Sequence, residues 1–253
     1  MELEIWIFAL LFFVAFFSGF IDAIAGGGGL ITIPALIAVG IPEHMALATN
    51  KLQATFGSFT AAANFTHKKM VNFNSLWRGI IWTFVGAVCG TWSVLLLDAT
   101  VIKYLIPICL VAILIYTIFS PNLGEIDKEK RMSESLFYAI FGLSIGFYDG
   151  FIGPGTGSFW MFAFASLLGM NLKSAVANTK ILNFTSNIVS LAVFIGGGQI
   201  LWLLGIVMGF GQMIGAYFGS HMVIKKEIKF IKNIFLTVVS LTIVKIIYDL
   251  FVK

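Results

Sequence analysis

Residues 19–29 read GFIDAIAGGGG, and residues 146–156 read GFYDGFIGPGT. Both stretches place one aspartate a few residues before a glycine cluster, inside otherwise apolar sequence. The likeness continues in two further pairs of segments: ALATNK at 46–51 with AVANTK at 175–180, and GAVCG at 86–90 with GAYFG at 215–219. The chain is therefore a tandem duplication. Duplicated halves of membrane proteins usually meet around a shared site that broken helices and buried polar groups mark.

The composition is that of a membrane protein. Of the 253 residues, 59% are hydrophobic and 11% are charged, and the mean hydropathy is +0.98, which leaves too little polar surface to coat a soluble globule. The apolar runs reach the roughly 20 residues that a transmembrane helix needs, and they lack the alternation of a membrane β-barrel. We therefore predict an all-α polytopic membrane protein that lies in a lipid bilayer.

The hydrophobic segments divide into two repeats of about five each, separated by one polar linker. We assign repeat 1 to residues 1–120, a cytoplasmic linker to 121–133 and repeat 2 to 134–253. The predicted segments are 5–25, 29–40, 44–66, 75–97 and 101–119, then 134–152, 156–169, 172–195, 200–222 and 231–252. Segments 29–40 and 156–169 are too short to cross comfortably a hydrocarbon core about 30 Å thick, so we expect half-helices or re-entrant segments there.

The basic residues predict that the two repeats have inverted topology. If the N-terminus and the C-terminus both lie outside, most basic residues fall in cytoplasmic connections, as the positive-inside rule requires. This cytoplasmic set comprises Lys68, Lys69, Arg78, Lys128, Lys130, Arg131, Lys173, Lys225, Lys226, Lys229 and Lys232. Lys103 and Lys253 fall outside. Because the net charge of +4 follows the membrane topology, it does not indicate a nucleic-acid partner.

The two glycine clusters are candidate anion-binding elements. They comprise Gly27, Gly28 and Gly29 at the start of segment 29–40, and Gly155, Thr156 and Gly157 at the start of segment 156–169. Each cluster leaves N–H groups free at a helix start, where the helix dipole adds partial positive charge. We therefore expect both clusters to bind an anionic substrate. Close helix packing through small residues is the alternative.

Two lysines lie several residues inside apolar segments, at the equivalent positions Lys51 and Lys180. A lysine at that depth costs about 2.5 to 3.5 kcal/mol on insertion scales, so each one needs a partner. The polar residues beside them, which we include in the predicted substrate site, are Thr49, Asn50, Asn178 and Thr179. Two interpretations stay open: each lysine pairs with an aspartate and ties the repeats together, or at least one lysine binds the anion.

The aspartates of the duplicated motif, Asp22 and Asp149, have three candidate roles. They can pair with the lysines, or they can cap the helix that follows each glycine cluster. They can also carry protons during a transport cycle, because an apolar site disfavours a charged carboxylate. Proton coupling is therefore a hypothesis that the sequence raises.

No motif predicts catalysis or a bound cofactor. His44, His67 and His221 do not cluster in the sequence, so we expect no metal site. The chain has no nucleotide-binding P-loop, and no strand pattern surrounds the GPGTG stretch at 153–157 as a dinucleotide fingerprint requires. We predict a non-enzyme without cofactors, whose partners are a small anion and the lipid bilayer.

The combination of duplicated motifs resembles the sulfite exporter TauE/SafE family of bacterial membrane transporters. Asp22 with its glycine run, the ALATNK and AVANTK segments, and the Gly-Ala-x-x-Gly pairs carry this resemblance over essentially the whole chain. The resemblance implies transport of small anions, particularly sulfite, thiosulfate or organosulfonates, across a bacterial or archaeal inner membrane. The repeats are not perfect copies, since Gly27 corresponds to Pro154, and Thr49-Asn50 is reversed as Asn178-Thr179.

The residues and the resemblance together predict a secondary transporter of small anions with a central site between the repeats. A passive anion channel needs the same positive helix starts and cationic residues, so it remains an alternative. An intramembrane enzyme or an assembly factor for another complex is the third interpretation.

Overall fold

The computed structural model describes residues 4–98, 100–102, 104, 108, 127–227, 233 and 237. These residues form helices and no strand, which confirms the predicted all-α class. The helices are α1 Ile5–Ala25, α2 Gly29–Ala38, α3 Glu43–His67, α4 Phe73–Leu95, α5 Glu134–Phe137, a π-helix at Tyr138–Gly142, α6 Leu143–Phe151, α7 Thr156–Leu167, α8 Leu172–Gly197 and α9 Trp202–Lys225. The predicted segments 101–119 and 231–252 lie mostly outside the described residues.

Four of these helices, α1, α4, α8 and α9, are long and apolar enough to cross a membrane, with 21, 23, 26 and 24 residues. Their outer faces carry large apolar side chains that are exposed, such as Phe13, Trp92 and Phe218. Apolar side chains on the outside suit a lipid environment. Helix α3 has 25 residues but is more polar, because it carries the residues around Lys51. The chain is thus a polytopic membrane protein.

Helices α2 and α7 are short, as the sequence predicted. They contain 10 and 12 residues, which corresponds to about 15 and 18 Å, well below the roughly 30 Å of a hydrocarbon core. Left-handed glycines interrupt the chain before both helices: Gly26 has a φ of 73° and Gly155 has a φ of 77°. A side chain disfavours this conformation, so glycine allows both breaks.

The Gly-Ala-x-x-Gly motifs mark the closest helix contacts. Helix α9 packs along α1, and α4 packs along α6. A Cβ atom on Gly215 would lie 1.9 Å from the carbonyl oxygen of Phe16, and one on Gly90 would lie 2.0 Å from that of Phe147. The motifs therefore allow backbone-to-backbone packing, the use that small residues commonly have in membrane helices.

Helices α3 and α8 lie at the centre of the protein. Helix α3 packs against α8 and α9, and α8 also packs against α4 and α7. An aromatic cluster of Phe137, Tyr138, Trp160 and Phe164 is buried beside them. This arrangement brings the two lysine-bearing helices and the two glycine breaks together.

Candidate anion site between the two halves

Each buried lysine pairs with the aspartate of the other half of the chain. Lys51 Nζ lies 2.7 Å from Asp149 Oδ1, and Lys180 Nζ lies 2.9 Å from Asp22 Oδ2. Lys51 is 2% exposed and Lys180 is 0% exposed. The crossed ion pairs connect α3 with α6 and α8 with α1, so they tie the two halves together.

Lys51 has an acceptor for each of its three N–H groups. Besides the carboxylate of Asp149, its ammonium donates to the carbonyl oxygen of Asp149 and, at 3.4 Å, to Asn187 Oδ1. The second carboxylate oxygen of Asp149 accepts a hydrogen bond from the Ser186 hydroxyl. Such a network satisfies both charges of the pair inside the protein.

Asp22 combines the pairing role with the capping role that the sequence left open. Its Oδ1 accepts a hydrogen bond from the N–H of Gly28 at 3.1 Å, while its Oδ2 faces Lys180. Gly28 is the N-cap residue of α2, and its carbonyl oxygen accepts the Ser18 hydroxyl at 2.9 Å. Asp22 therefore holds the start of α2 in place.

The two glycine breaks lie against each other. A Cβ atom on Gly26 would lie 2.4 Å from the backbone of Gly157, and one on Gly29 would lie 3.2 Å from Pro154 Cα. Ser158 joins the breaks by donating to the carbonyl oxygen of Ala25 at 2.8 Å. The starts of α2 and α7 thus converge, and their dipoles place partial positive charge at one spot.

A small polar cavity of about 30 Å³ lies where these elements meet. Its lining residues are Asp22, Gly26, Gly29, Asn50, Lys51, Ala54, Asp149, Gly153, Gly155, Thr156, Gly157, Asn183, Asn187 and Gln212. Both carboxylates are neutralised by lysines, so the lining offers mainly neutral hydrogen-bonding groups and two helix starts.

Four carboxamide side chains line this cavity, and their hydrogen bonds differ. Asn50 Oδ1 accepts from Thr32 Oγ1 at 2.6 Å and from Gln53 Nε2 at 2.7 Å, which leaves its NH₂ group for the cavity. Asn183 and Gln212 are 5% and 2% exposed, and their amide oxygens have no hydrogen-bond partner among the described residues. Buried polar groups are usually satisfied, but Gln53, Thr83 and Thr179 also carry a buried side-chain oxygen without a partner among the described residues.

A second and larger cavity is unsuited to an anion. This groove of about 620 Å³ lies between α4 and α8, and its lining includes Phe84, Phe184, Ile188 and Val193 but no charged residue. The polar cavity is therefore the candidate anion site.

The structure brings together eight of the residues that the sequence predicted for the site. Those at the cavity are Asp22, Gly29, Asn50, Lys51, Asp149, Gly155, Thr156 and Gly157. Those that do not line it are Gly27, Gly28, Thr49, Asn178, Thr179 and Lys180. Thr49 Oγ1 instead accepts from the Leu201 N–H at 3.1 Å, and Asn178 Nδ2 donates to Ser174 O at 2.8 Å.

Sequence reasoning did not assign Asn183, Asn187 and Gln212 to the site. Asn183 and Asn187 are one helical turn apart on the helix that carries Lys180, a signal that could have been read. Gln212 is isolated in the apolar α9, where nothing in the local sequence relates it to Lys51. Among the described residues, no group of three His, Cys, Asp or Glu side chains could hold a metal ion.

Comparison with known proteins assigns the chain to a family. The family model described as sulfite exporter TauE/SafE matches residues 11–246. The chain belongs to the TauE/SafE family. No solved structure matches it.

Several relatives of this TauE/SafE protein are named as transporters. A probable membrane transporter protein of Haemophilus influenzae is 45% identical over 249 residues, which cover 98% of each chain. The probable membrane transporter protein YfcA of Escherichia coli K12 is 46% identical over 240 residues, covering 95% of this chain and 89% of its own. A probable membrane transporter protein, ORF9, of Sinorhizobium is 41% identical over 242 residues, covering 96% and 92%. The TauE/SafE protein is therefore a multi-pass membrane transporter.

Proposed function

We propose that this TauE/SafE protein is a secondary transporter of small sulfur-containing anions, such as sulfite, thiosulfate or organosulfonates. The name of the family supports the sulfur chemistry. The observation that carries the proposal is the convergence of two helix starts and Lys51 on one buried polar cavity between the halves. Helix starts and buried lysines attract anions and repel cations.

We propose that a proton enters the site together with the anion. The charges of Lys51 and Asp149 cancel, as do those of Lys180 and Asp22, so an added anion brings an uncompensated negative charge. Protonation of Asp149 releases Lys51 from its carboxylate partner and makes the ammonium available to the anion. The charge of the proton offsets the charge of the anion, so the net charge buried in the site stays constant, which a low-dielectric environment favours.

We also propose that the two halves are inverted repeats in an inner membrane, with both termini outside. Residues 1–120 form the first repeat, 121–133 form a cytoplasmic linker, and 134–253 form the second repeat. Equivalent contacts support this assignment, because α1 packs on α9 as α6 packs on α4. Alternating access then arises from rocking or gating of the repeats around the fixed site.

Uptake of radiolabelled sulfite into proteoliposomes tests the proposal. We expect wild-type protein to accumulate sulfite above its external concentration when the outside is acidic, and not when both sides have equal pH. Asp149→Asn is expected to exchange sulfite across the membrane but to lose accumulation, whereas Lys51→Ala loses both activities. Lys130→Ala, which changes an exposed residue, is the control.

Two results would contradict the proposed function. Sulfite that only equilibrates in the wild-type vesicles, whatever the pH gradient, indicates a passive channel. An absence of uptake for sulfite, thiosulfate and ethanesulfonate alike excludes the substrate class.

A further inference from the structure

The apolar groove between α4 and α8 opens on the outer surface of the protein. Its volume is about 620 Å³, and its walls include Phe84 and Ile188, which are 51% and 41% exposed. Ala192, in the same wall of α8, is also exposed. Exposed apolar surface of this extent marks a binding site, and in a membrane protein it faces lipid. The groove therefore suits an acyl chain, which makes only apolar contacts.

A basic and an aromatic side chain lie beyond one end of this groove, the end where α4 begins. Trp77 and Phe84 are two helical turns apart, so both lie on the same face of α4. The Arg78 guanidinium lies 5.2 Å from the centre of the Trp77 ring and donates to the Ser135 hydroxyl. Arg78 is exposed, and a guanidinium has five N–H donors in a geometry that matches a phosphate group.

The length of the groove matches one leaflet of a bilayer. Val88 lies at the far end of the groove on α4, and ten residues of helix separate it from Arg78. This distance is about 15 Å, half of a hydrocarbon core that is roughly 30 Å thick. A phosphate group at Arg78 would therefore place its acyl chain along the groove within the same leaflet.

The first half of the chain has neither feature at the equivalent positions. The alignment of the duplicated motifs pairs Thr185 with Phe56 and Arg78 with Val207. A Cβ atom on Gly209 would lie 2.8 Å from the ring of Phe56, so this ring fills the space between α3 and α9. The smaller Thr185 leaves the space between α4 and α8 open. The open groove and the arginine thus occur together, which indicates that they bind one ligand.

We propose that this groove binds an anionic phospholipid of the cytoplasmic leaflet, with its phosphate at Arg78 and an acyl chain between α4 and α8. Basic groups beside transmembrane helices on the cytoplasmic side attract anionic headgroups. The lipid site is separate from the candidate anion site, because the groove and the polar cavity share no lining residue.

Native mass spectrometry of the delipidated full-length protein tests this site, with phosphatidylglycerol and phosphatidylethanolamine that carry the same acyl chains. We expect the protein to retain one phosphatidylglycerol more tightly than phosphatidylethanolamine. Arg78→Gln should lower the affinity for phosphatidylglycerol about fivefold, because one basic group near the membrane surface contributes about that factor. Ala192→Phe should lower the affinity for both lipids, because the added ring fills the groove.

Two variants serve as matched controls. Lys225→Gln removes an exposed positive charge at the end of α9, and Ala63→Phe adds a ring at the exposed position of α3 that is equivalent to Ala192. Both should bind phosphatidylglycerol like the wild type.

Three results would overturn the inference. The first is an Arg78→Gln protein that retains phosphatidylglycerol as tightly as the wild type, and this exposed position decides the question if Ala192→Phe does not fold. The second is an equal loss of affinity in Ala63→Phe and Ala192→Phe. The third is a wild type that retains no phosphatidylglycerol, as expected if a second copy or another segment of the chain covers the groove.

Discussion

Removal of Lys180 should destabilise the protein far more than removal of an exposed lysine. In Lys180→Met the carboxylate of Asp22, whose side chain is 16% exposed, loses its only cationic partner among the described residues. Removing one partner of a buried ion pair lowers the free energy of unfolding by about 3–5 kcal/mol. Asp22 keeps the hydrogen bond from Gly28 and is partly exposed. We therefore expect the free energy of unfolding to fall by about 3 kcal/mol, the lower end of this range.

The expected shift is large enough to measure by thermal unfolding of the purified protein in detergent without added anion. For a chain of this size, about 1 kcal/mol corresponds to roughly 2–4 °C, so Lys180→Met should lower Tm by about 6–12 °C. The double variant Lys180→Met with Asp22→Asn should recover more than half of that loss. The amide still accepts from Gly28, and no unpaired charge remains.

Lys130→Met provides the control for this experiment. Lys130 pairs with Glu134 at 2.6 Å, but its side chain is 57% exposed. An exposed pair contributes about 0–1 kcal/mol, so the shift should stay within a few degrees. The reasoning is refuted if Lys180→Met unfolds within about 2 °C of the wild type, or if the double variant is less stable than the single one.

Three further predictions concern packing, the Asp149 network and topology. Gly215→Ala should destabilise the protein by about 1–3 kcal/mol in the same assay, because its Cβ would meet Phe16, whereas Gly196→Ala, with nothing within 4 Å, should be neutral. Ser186→Ala removes a donor to the Asp149 carboxylate and should lower the free energy of unfolding by about 1.5–3 kcal/mol. Ser144→Ala, at an exposed serine, is the control, and equal stability of the two variants would contradict the role of Ser186 at Asp149. The topology is tested in a variant without Cys89 and Cys109. A membrane-impermeant maleimide should label Lys68→Cys only from the cytoplasmic side and Gly196→Cys only from outside. The opposite pattern would reverse the proposed orientation.

The sequence predicted the helices and the breaks before α2 and α7, because both follow from local signals. Apolar length predicts the spanning helices, and the glycine clusters predict the breaks at Gly26 and Gly155, which require left-handed backbone. The same glycine clusters set where the short helices α2 and α7 begin. The duplication added the hypothesis that both breaks belong to one site.

The partners in the site could not be predicted, because they depend on how distant helices pack. The spacing of the motifs is the same whether Lys51 pairs with Asp22 or with Asp149, and only the packing of α3 against the second half decides for Asp149. The side chain of Gln212 has space beside the cavity because Gly57 has no Cβ, and Gly19 lets the backbone of Gln212 approach α1, a relation between three separate helices. The π-helix at Tyr138–Gly142 was also not predicted, since no proline or glycine pattern distinguishes it.

Locating a bound anion tests the central claim most directly. Selenite, the selenium analogue of sulfite, can be soaked into crystals of a Cys89→Ser, Cys109→Ser variant, which has no thiol to react with it, and located by anomalous diffraction. We predict one selenium peak in the cavity, within hydrogen-bonding distance of Lys51 and the start of α7. A peak elsewhere in the protein, or none at a selenite concentration that saturates transport, would contradict the assignment of this cavity as the anion site.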